Sequence, residues 1–333
     1  MTGFAVPLPA RYRVADTLAY HGRDPLSLSE RVEGMRFEKP LWLPGGMALL
    51  SLEINGHAAV ARFDRVLDEA ERIEATHIVE RLLGLSSDPD GFEALAASAK
   101  LAAARPGLRI PLTATLFEAV CWAVIGQQIN LTFAATLRRE MIALAGTLHP
   151  GSGLLAHPEP AAVAALDPAD LAARRFSRSK ARYLVETSAA IAAGMPSLED
   201  LTAAGPDAAE AALTALRGIG PWTARYILLR GFGFPDVAPV GDSGLATGLE
   251  RLYGLGTRPD IAEQEAAMRA FAPHRSLATA HLWASLEDQP GAKSRKPTTL
   301  VNRPDAIVAK SVPPATAGPV SGPSVQLKRS RSP

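Results

Sequence analysis

The chain has 333 residues, 47% hydrophobic and 21% charged, the makeup of globular material long enough for more than one domain. Its single cysteine, Cys121, excludes an internal disulfide framework, a four-cysteine zinc site and a cysteine-held iron–sulfur cluster. The net charge of +1 is unevenly spread: from Pro290 onward eight Lys or Arg stand against one acid, a tail of +7 that leaves −6 on the rest. A body of that sign meets an acidic polymer only where positive potential is concentrated locally. No apolar run approaches the ~20 residues that a bilayer requires. The start, MTGFAVPLPARYRV, lacks the basic lead and long apolar stretch of a signal peptide, so a cytoplasmic protein is expected.

In chain order, residues 41–63 alternate apolar and polar, and Asn55-Gly56 between two apolar runs signals a hairpin. This predicts an α+β domain over residues 1–92 with a small antiparallel β-sheet. From 93 to 288 alanine-rich segments of helical period follow, broken at Pro106-Gly107, Pro150-Gly151, Gly194, Gly205-Pro206 and Gly231. They predict a two-lobed all-α core, one lobe over 113–235 and the other built from 93–112 plus 236–288. Residues 289–333 are rich in proline, serine, lysine and arginine without periodicity, and are expected to be a disordered basic tail. Such a tail is either an electrostatic tether to nucleic acid or a solvated end with no required role.

The most informative stretch is LTALRGIGPWTARYILLRG over residues 213–231, followed by Asp242. A helix ends, Gly218-Ile219-Gly220 makes a tight turn, and Pro221 opens a second helix, a position that suits proline because its missing N–H is an orphan there. Backbone amides at such a turn bind phosphate without reading bases. Arg217 adds a side-chain contact to Gly218, Ile219, Gly220 and Thr223. Asp242 precedes SGLATGLERLYG, so from local sequence it is equally a helix N-cap. Trp222 and Tyr226, four apart, share one helix face and are either core or an aromatic surface for a cationic ligand. Neither HExxH, GxSxG nor a Walker A motif is present. His149 and His157 stand in a Pro/Gly-rich loop with no cysteine ligands near them.

The hairpin with its downstream aspartate resembles the helix-hairpin-helix DNA glycosylase superfamily. Trp222-Thr223-Ala224 looks like its alkylated-purine branch, the 3-methyladenine DNA glycosylase II family. ARPGLRIP (104–111), AVIGQQI (123–129) and HRSLATAHLW (274–283) resemble family segments in the family's order, and the likeness covers residues 1–288. It implies an enzyme that flips a damaged base out of duplex DNA and hydrolyses its glycosidic bond. Asp242 is then the catalytic carboxylate, facing positive charge that develops on the sugar. Trp222, Tyr226, Gln127 and His274 line the base pocket, and Gln128 is the wedge that fills the gap in the duplex. The carbonyls of Thr214, Leu216 and Ile219 hold a structural monovalent cation, Na+ or K+, and no other cofactor is implied.

Members that also cut the strand carry a lysine where this chain has Trp222, so a monofunctional enzyme leaving an abasic site is implied. Three departures bear on substrate range: Gln128 stands at a wedge position where leucine occurs, Ser243 in place of an aromatic, and His274 where tryptophan is common. The implied partner is double-stranded DNA with alkylated bases, met by a monomer. The alternatives are a non-catalytic hairpin module that only binds DNA, or a glycosylase shifted toward hypoxanthine.

Overall fold

The computed structural model describes residues 2–287; the predicted tail over 289–333 lies outside the described residues. The N-terminal part holds β1 (Thr2–Pro7), α1 (Val14–His21), β2 (Arg31–Glu33), β3 (Arg36–Leu43), β4 (Gly46–Ile54), β5 (Ala58–Phe63) and α2 (Glu69–Leu83). The strands form one antiparallel sheet in the order β1-β5-β4-β3-β2. The anticipated hairpin joins β4 to β5. Gly56 takes φ +88° at the first central position of the turn, and the Asn55 side-chain oxygen accepts from the amides of His57 and Ala58. Alternation does the rest: Ala48, Leu50, Leu52 and Ile54 of β4 all point to one buried face. Helix α2, opened by a capping box of Asp68 and Glu71, covers that face with Ala75, Ile78, Val79, Leu82 and Leu83.

Helices follow: α3 (Pro89–Glu93), α4 (Ala99–Ala104), α5 (Leu116–Gly126) and α6 (Leu131–Ala145). After a short ribbon of β6 (Thr147–Leu148) and β7 (Leu155–Ala156) come α7 (Pro160–Ala164), α8 (Pro168–Ala173), α9 (Arg178–Ala192), α10 (Leu198–Ala204), α11 (Pro206–Thr214) and α12 (Pro221–Ile227). A turn of π-helix (Leu228–Phe232) leads on to α13 (Ser243–Tyr253), α14 (Ile261–Met268) and α15 (Arg275–Glu287). The ribbon sits where the Pro150-Gly151 signal predicts only a break. Two helical cores result. One surrounds α5, buried along Phe117–Ile125, with α6, α9 and α12; the other joins Phe92, Leu101 and Leu108 to Leu245, Leu249, Phe271 and Leu282. Cys121 lies in the first core, where burial pushes its thiol pKa up, so it packs as a small hydrophobe.

Buried charge bonds the sheet to the helices. Arg138 of α6 grips both Glu30 oxygens at 2.5 and 3.0 Å, and Lys39 of β3 bridges Glu30 (3.0 Å) to Glu118 of α5 (3.2 Å). Burial alone would raise the Glu30 pKa, but Arg138 and Lys39 outweigh it and hold it well below the usual carboxylate range. Arg81 of α2 donates to the carbonyls of Gly231 (2.6 Å) and Thr113 (3.1 Å), tying the sheet domain to the π-turn. Three histidines add a pH dependence. Burial lowers His21, His157 and His281 from 6.5 to about 4. The unfolded chain takes up these protons near 6.5 and the folded chain only near 4, so their stabilisation is complete above pH 6.5 and is lost as pH falls toward 4. Urea unfolding at pH 5 should give a stability on the order of 3–6 kcal/mol below that at pH 7.5. Replacing all three histidines by glutamine should flatten that slope.

Candidate active site

Helices α11 and α12 form the hairpin, clamped by Arg225 on Glu210 at 2.9 and 3.1 Å. In the turn, the Ile219 amide donates to the Leu216 carbonyl at 3.1 Å and the Ile219 side chain is buried. Gly218 has φ +87°, and a Cβ there would lie 2.4 Å from the Tyr183 ring, so only glycine fits on both counts. No side chain caps α12 at Gly220. Arg217 is exposed, its guanidinium 6.0 Å from the Tyr183 centroid. The Gln127 amide nitrogen donates to the Gly218 carbonyl (2.8 Å) and the Thr223 hydroxyl (3.0 Å), bracing the hairpin from α5. The Thr223 hydroxyl is thereby turned inward, so only its backbone amide is left for a phosphate, while the Ile219 amide is already engaged. The Thr214 hydroxyl likewise bonds back to the Glu210 carbonyl at 2.8 Å.

Next to Gln127, Gln128 is exposed with φ +57°, a left-handed conformation that costs a non-glycine residue energy. The buried Lys180 of α9 stabilises the turn, its ammonium donating to the carbonyls of Ile125 (2.6 Å) and Gln127 (2.9 Å). Burial lowers the Lys180 pKa.

Asp242 caps α13, one oxygen accepting from the Leu245 amide at 2.8 Å. That oxygen also accepts the Trp283 indole N–H at 2.9 Å, and the other accepts the Trp222 indole N–H at 3.3 Å. The loop before it is held by the side-chain oxygen of Gln264, which accepts the Gly241 amide at 2.8 Å. Small residues allow this convergence. A Cβ on Gly248 would sit 2.9 Å from the Leu282 Cβ, so α13 and α15 approach closely. A Cβ on Gly244 would meet the Asp242 carboxylate at 3.0 Å and the Trp283 ring at 3.1 Å. Tyr226 lies between the two indoles, 5.8 Å from Trp222 and 5.9 Å from Trp283, and its hydroxyl accepts the Trp122 indole N–H at 2.9 Å. Burial, then the neighbouring Tyr20, pushes the Tyr226 hydroxyl pKa up. The result is an aromatic cluster with one carboxylate at its edge.

The HhH-GPD superfamily of base excision DNA repair proteins matches residues 121–273. DNA-3-methyladenine glycosylase 2 of Escherichia coli (strain K12) is 31% identical over 219 residues, 64% of this chain and 72% of its own. The chain belongs to the DNA-3-methyladenine glycosylase family of the HhH-GPD superfamily. A DNA-3-methyladenine glycosylase of Bacillus subtilis (strain 168) is 29% identical over 291 residues, covering 84% of this chain and 96% of its own. The HhH-GPD fold is seen too in a 3-methyladenine DNA-glycosylase from Archaeoglobus fulgidus, which superposes with a TM-score of 0.74 at 22% identity over 84% of this chain and 97% of that one.

Within this HhH-GPD fold His274 stands against α3 and the residues before it: a Cβ on Gly91 would lie 2.9 Å from its ring. It lines a small cavity with Ser87, Asp88, Phe234 and Pro235. Its neighbours Arg275 and Ser276 are structural, Arg275 gripping Asp236 at 2.7 and 2.9 Å. Sequence reasoning missed Trp283, the last residue of a quoted segment, and also Trp122, Lys180, Tyr20, Arg23 and Arg230. Trp283 was findable as one of only four tryptophans in the chain. Gly218→Ala should unfold the hairpin locally: expected are a loss on the order of 1–3 kcal/mol in urea unfolding and markedly weaker duplex binding in fluorescence anisotropy.

Proposed function

We propose that the chain is a monofunctional DNA glycosylase that hydrolyses the N-glycosidic bond of alkylated purines of the 3-methyladenine and 7-methylguanine type, leaving an abasic site for base excision repair. The observation that carries the reading is the convergence of three N–H donors on Asp242 at the edge of an aromatic cluster. A cap alone needs one of them. The two indole bonds aim a carboxylate whose positioning matters beyond helix stability.

The remaining parts follow in order. Amides of Gly218, Gly220 and Thr223, with Arg217, hold phosphate. A Na+ or K+ ion sits on the carbonyls of Thr214, Leu216 and Ile219; the Leu216 carbonyl accepts one amide and keeps a second lone pair for the ion. Gln128, held outward by the strained turn, enters the duplex and offers a polar partner to the widowed base. The extruded purine stacks on Trp222 and Tyr226, an attraction of ~0.5–2 kcal/mol for a cationic base. As the C1′–N bond breaks, its electron pair leaves with the base and positive charge grows on the sugar. Asp242 stabilises that charge and receives the proton of the attacking water. Trp222 places no amine beside C1′, so no Schiff base forms and the strand stays intact. No helix among the described residues is long and apolar enough to cross a membrane. The enzyme is read as a cytoplasmic monomer.

The test is release of free base from dimethyl sulfate-treated DNA. The wild type should release methylated purines without nicking. Asp242→Asn, which can still cap α13, should lose roughly 10²-fold or more of the rate while still binding duplex. Folded wild type that binds DNA and releases nothing would leave the hairpin as a binding module only.

A further inference from the structure

Two guanidinium groups pack against the aromatic cluster. Tyr20, from α1 of the sheet domain, is held between them, with Arg23 4.3 Å and Arg230 4.6 Å from its ring centroid. Each arginine also faces a tryptophan: Arg23 lies 4.4 Å from Trp122, and Arg230 lies 5.3 Å from Trp283. These are not bystander rings. Trp283 donates to Asp242, and Trp122 donates to Tyr226. Arg230 donates one N–H to the Pro111 carbonyl at 3.2 Å, and its Nε is buried without a hydrogen-bond partner. The cluster therefore carries two permanent positive charges beside one carboxylate.

Bare aromatic faces favour a cationic purine. Here the faces of Tyr20, Trp122 and Trp283 already hold cations of the protein, and a third positive charge a few ångströms away is repelled. A neutral purine meets the opposite situation. Its N3, N7 and O6 atoms accept hydrogen bonds, and guanidinium N–H groups are strong donors to them. The leaving groups differ in the same sense. A cationic base departs neutral, whereas a neutral base departs with the electron pair of the C1′–N bond as a developing anion, which a nearby guanidinium stabilises.

We propose that Arg23, seconded by Arg230, is the specificity-determining residue of the cluster, its charge narrowing the advantage of cationic purines and promoting excision of neutral ones. The inference rests on the reading of the Asp242 cluster as a base-excision site. It gives the sheet domain a part in substrate choice, since Tyr20 and Arg23 belong to that domain.

The test is single-turnover excision of 7-methylguanine (cationic) and hypoxanthine (neutral) from otherwise identical duplexes. Arg23→Gln should raise the 7-methylguanine to hypoxanthine rate ratio about tenfold or more, the effect of removing one unit charge from a partly wet site. Arg23→Lys keeps the charge and should leave the ratio within about threefold of wild type. Arg230→Gln should shift the ratio in the same direction, and serves if Arg23→Gln does not fold. Equal changes on both substrates in a folded Arg23→Gln or Arg230→Gln, or an Arg23→Lys that behaves like Arg23→Gln, would overturn the proposal. Wild type that excises neither base would overturn the base-excision reading beneath it.

Discussion

Three N–H groups from three separate places in the chain meet on the carboxylate of Asp242: the Leu245 amide, the Trp222 indole and the Trp283 indole. Much of the helical architecture is needed for this. Trp222 belongs to the helix that opens after the hairpin turn, so the turn proposed to meet phosphate also sets the first indole. Trp283 belongs to α15, which reaches Asp242 only because Gly248 and Gly244 leave room for it. The Asp242 loop is itself bonded to Gln264 of α14. The proposed DNA contact and chemistry thus share one connection, and a displacement of the hairpin moves the Trp222 donor with it.

The sheet domain is a working part of this arrangement. Its charged contacts, Glu30 with Arg138 and Lys39 with Glu118, are buried. A buried ion pair is weak evidence for stability, yet removing one partner leaves an uncompensated charge, so the docking is intolerant of change. Arg81 bonds the carbonyl of Gly231 within the π-turn that carries Arg230. Interruptions of this kind recur at functional sites because they re-aim side chains. Here the turn directs Arg230 onto Tyr20 and Trp283.

Local features of the site were legible in the sequence. Gly218-Ile219-Gly220-Pro221 encodes a turn and a helix start through backbone rules alone, and Asp242 reads both as a cap and as a carboxylate at family spacing. The Asn55-Gly56 hairpin and the α+β order of sheet then helices are local in the same way. What was not legible depends on partners distant in sequence. Gln127 looks like a pocket residue from its place beside Gln128, but the Gly218 carbonyl, 91 residues away, claims its amide. Tyr20 and Arg23 carry no pattern of their own, and they acquire meaning only when the fold sets them against Trp122 and Arg230. His274 illustrates the converse: its segment resembles the family's, while its ring packs toward Gly91.

The central claim is that Trp283 and Asp242 act as one unit. A double-mutant cycle on single-turnover excision of 7-methylguanine, with Asp242→Asn, Trp283→Phe and the combination, tests it most directly. Phenylalanine keeps an aromatic face and removes only the N–H donor. Trp283→Phe should slow the wild-type background about tenfold or more, the cost of losing a hydrogen bond to a charged group, and should have almost no effect once Asp242 is asparagine. Equal slowing in both backgrounds would show that Trp283 acts on the base alone and that the convergence on Asp242 is structural.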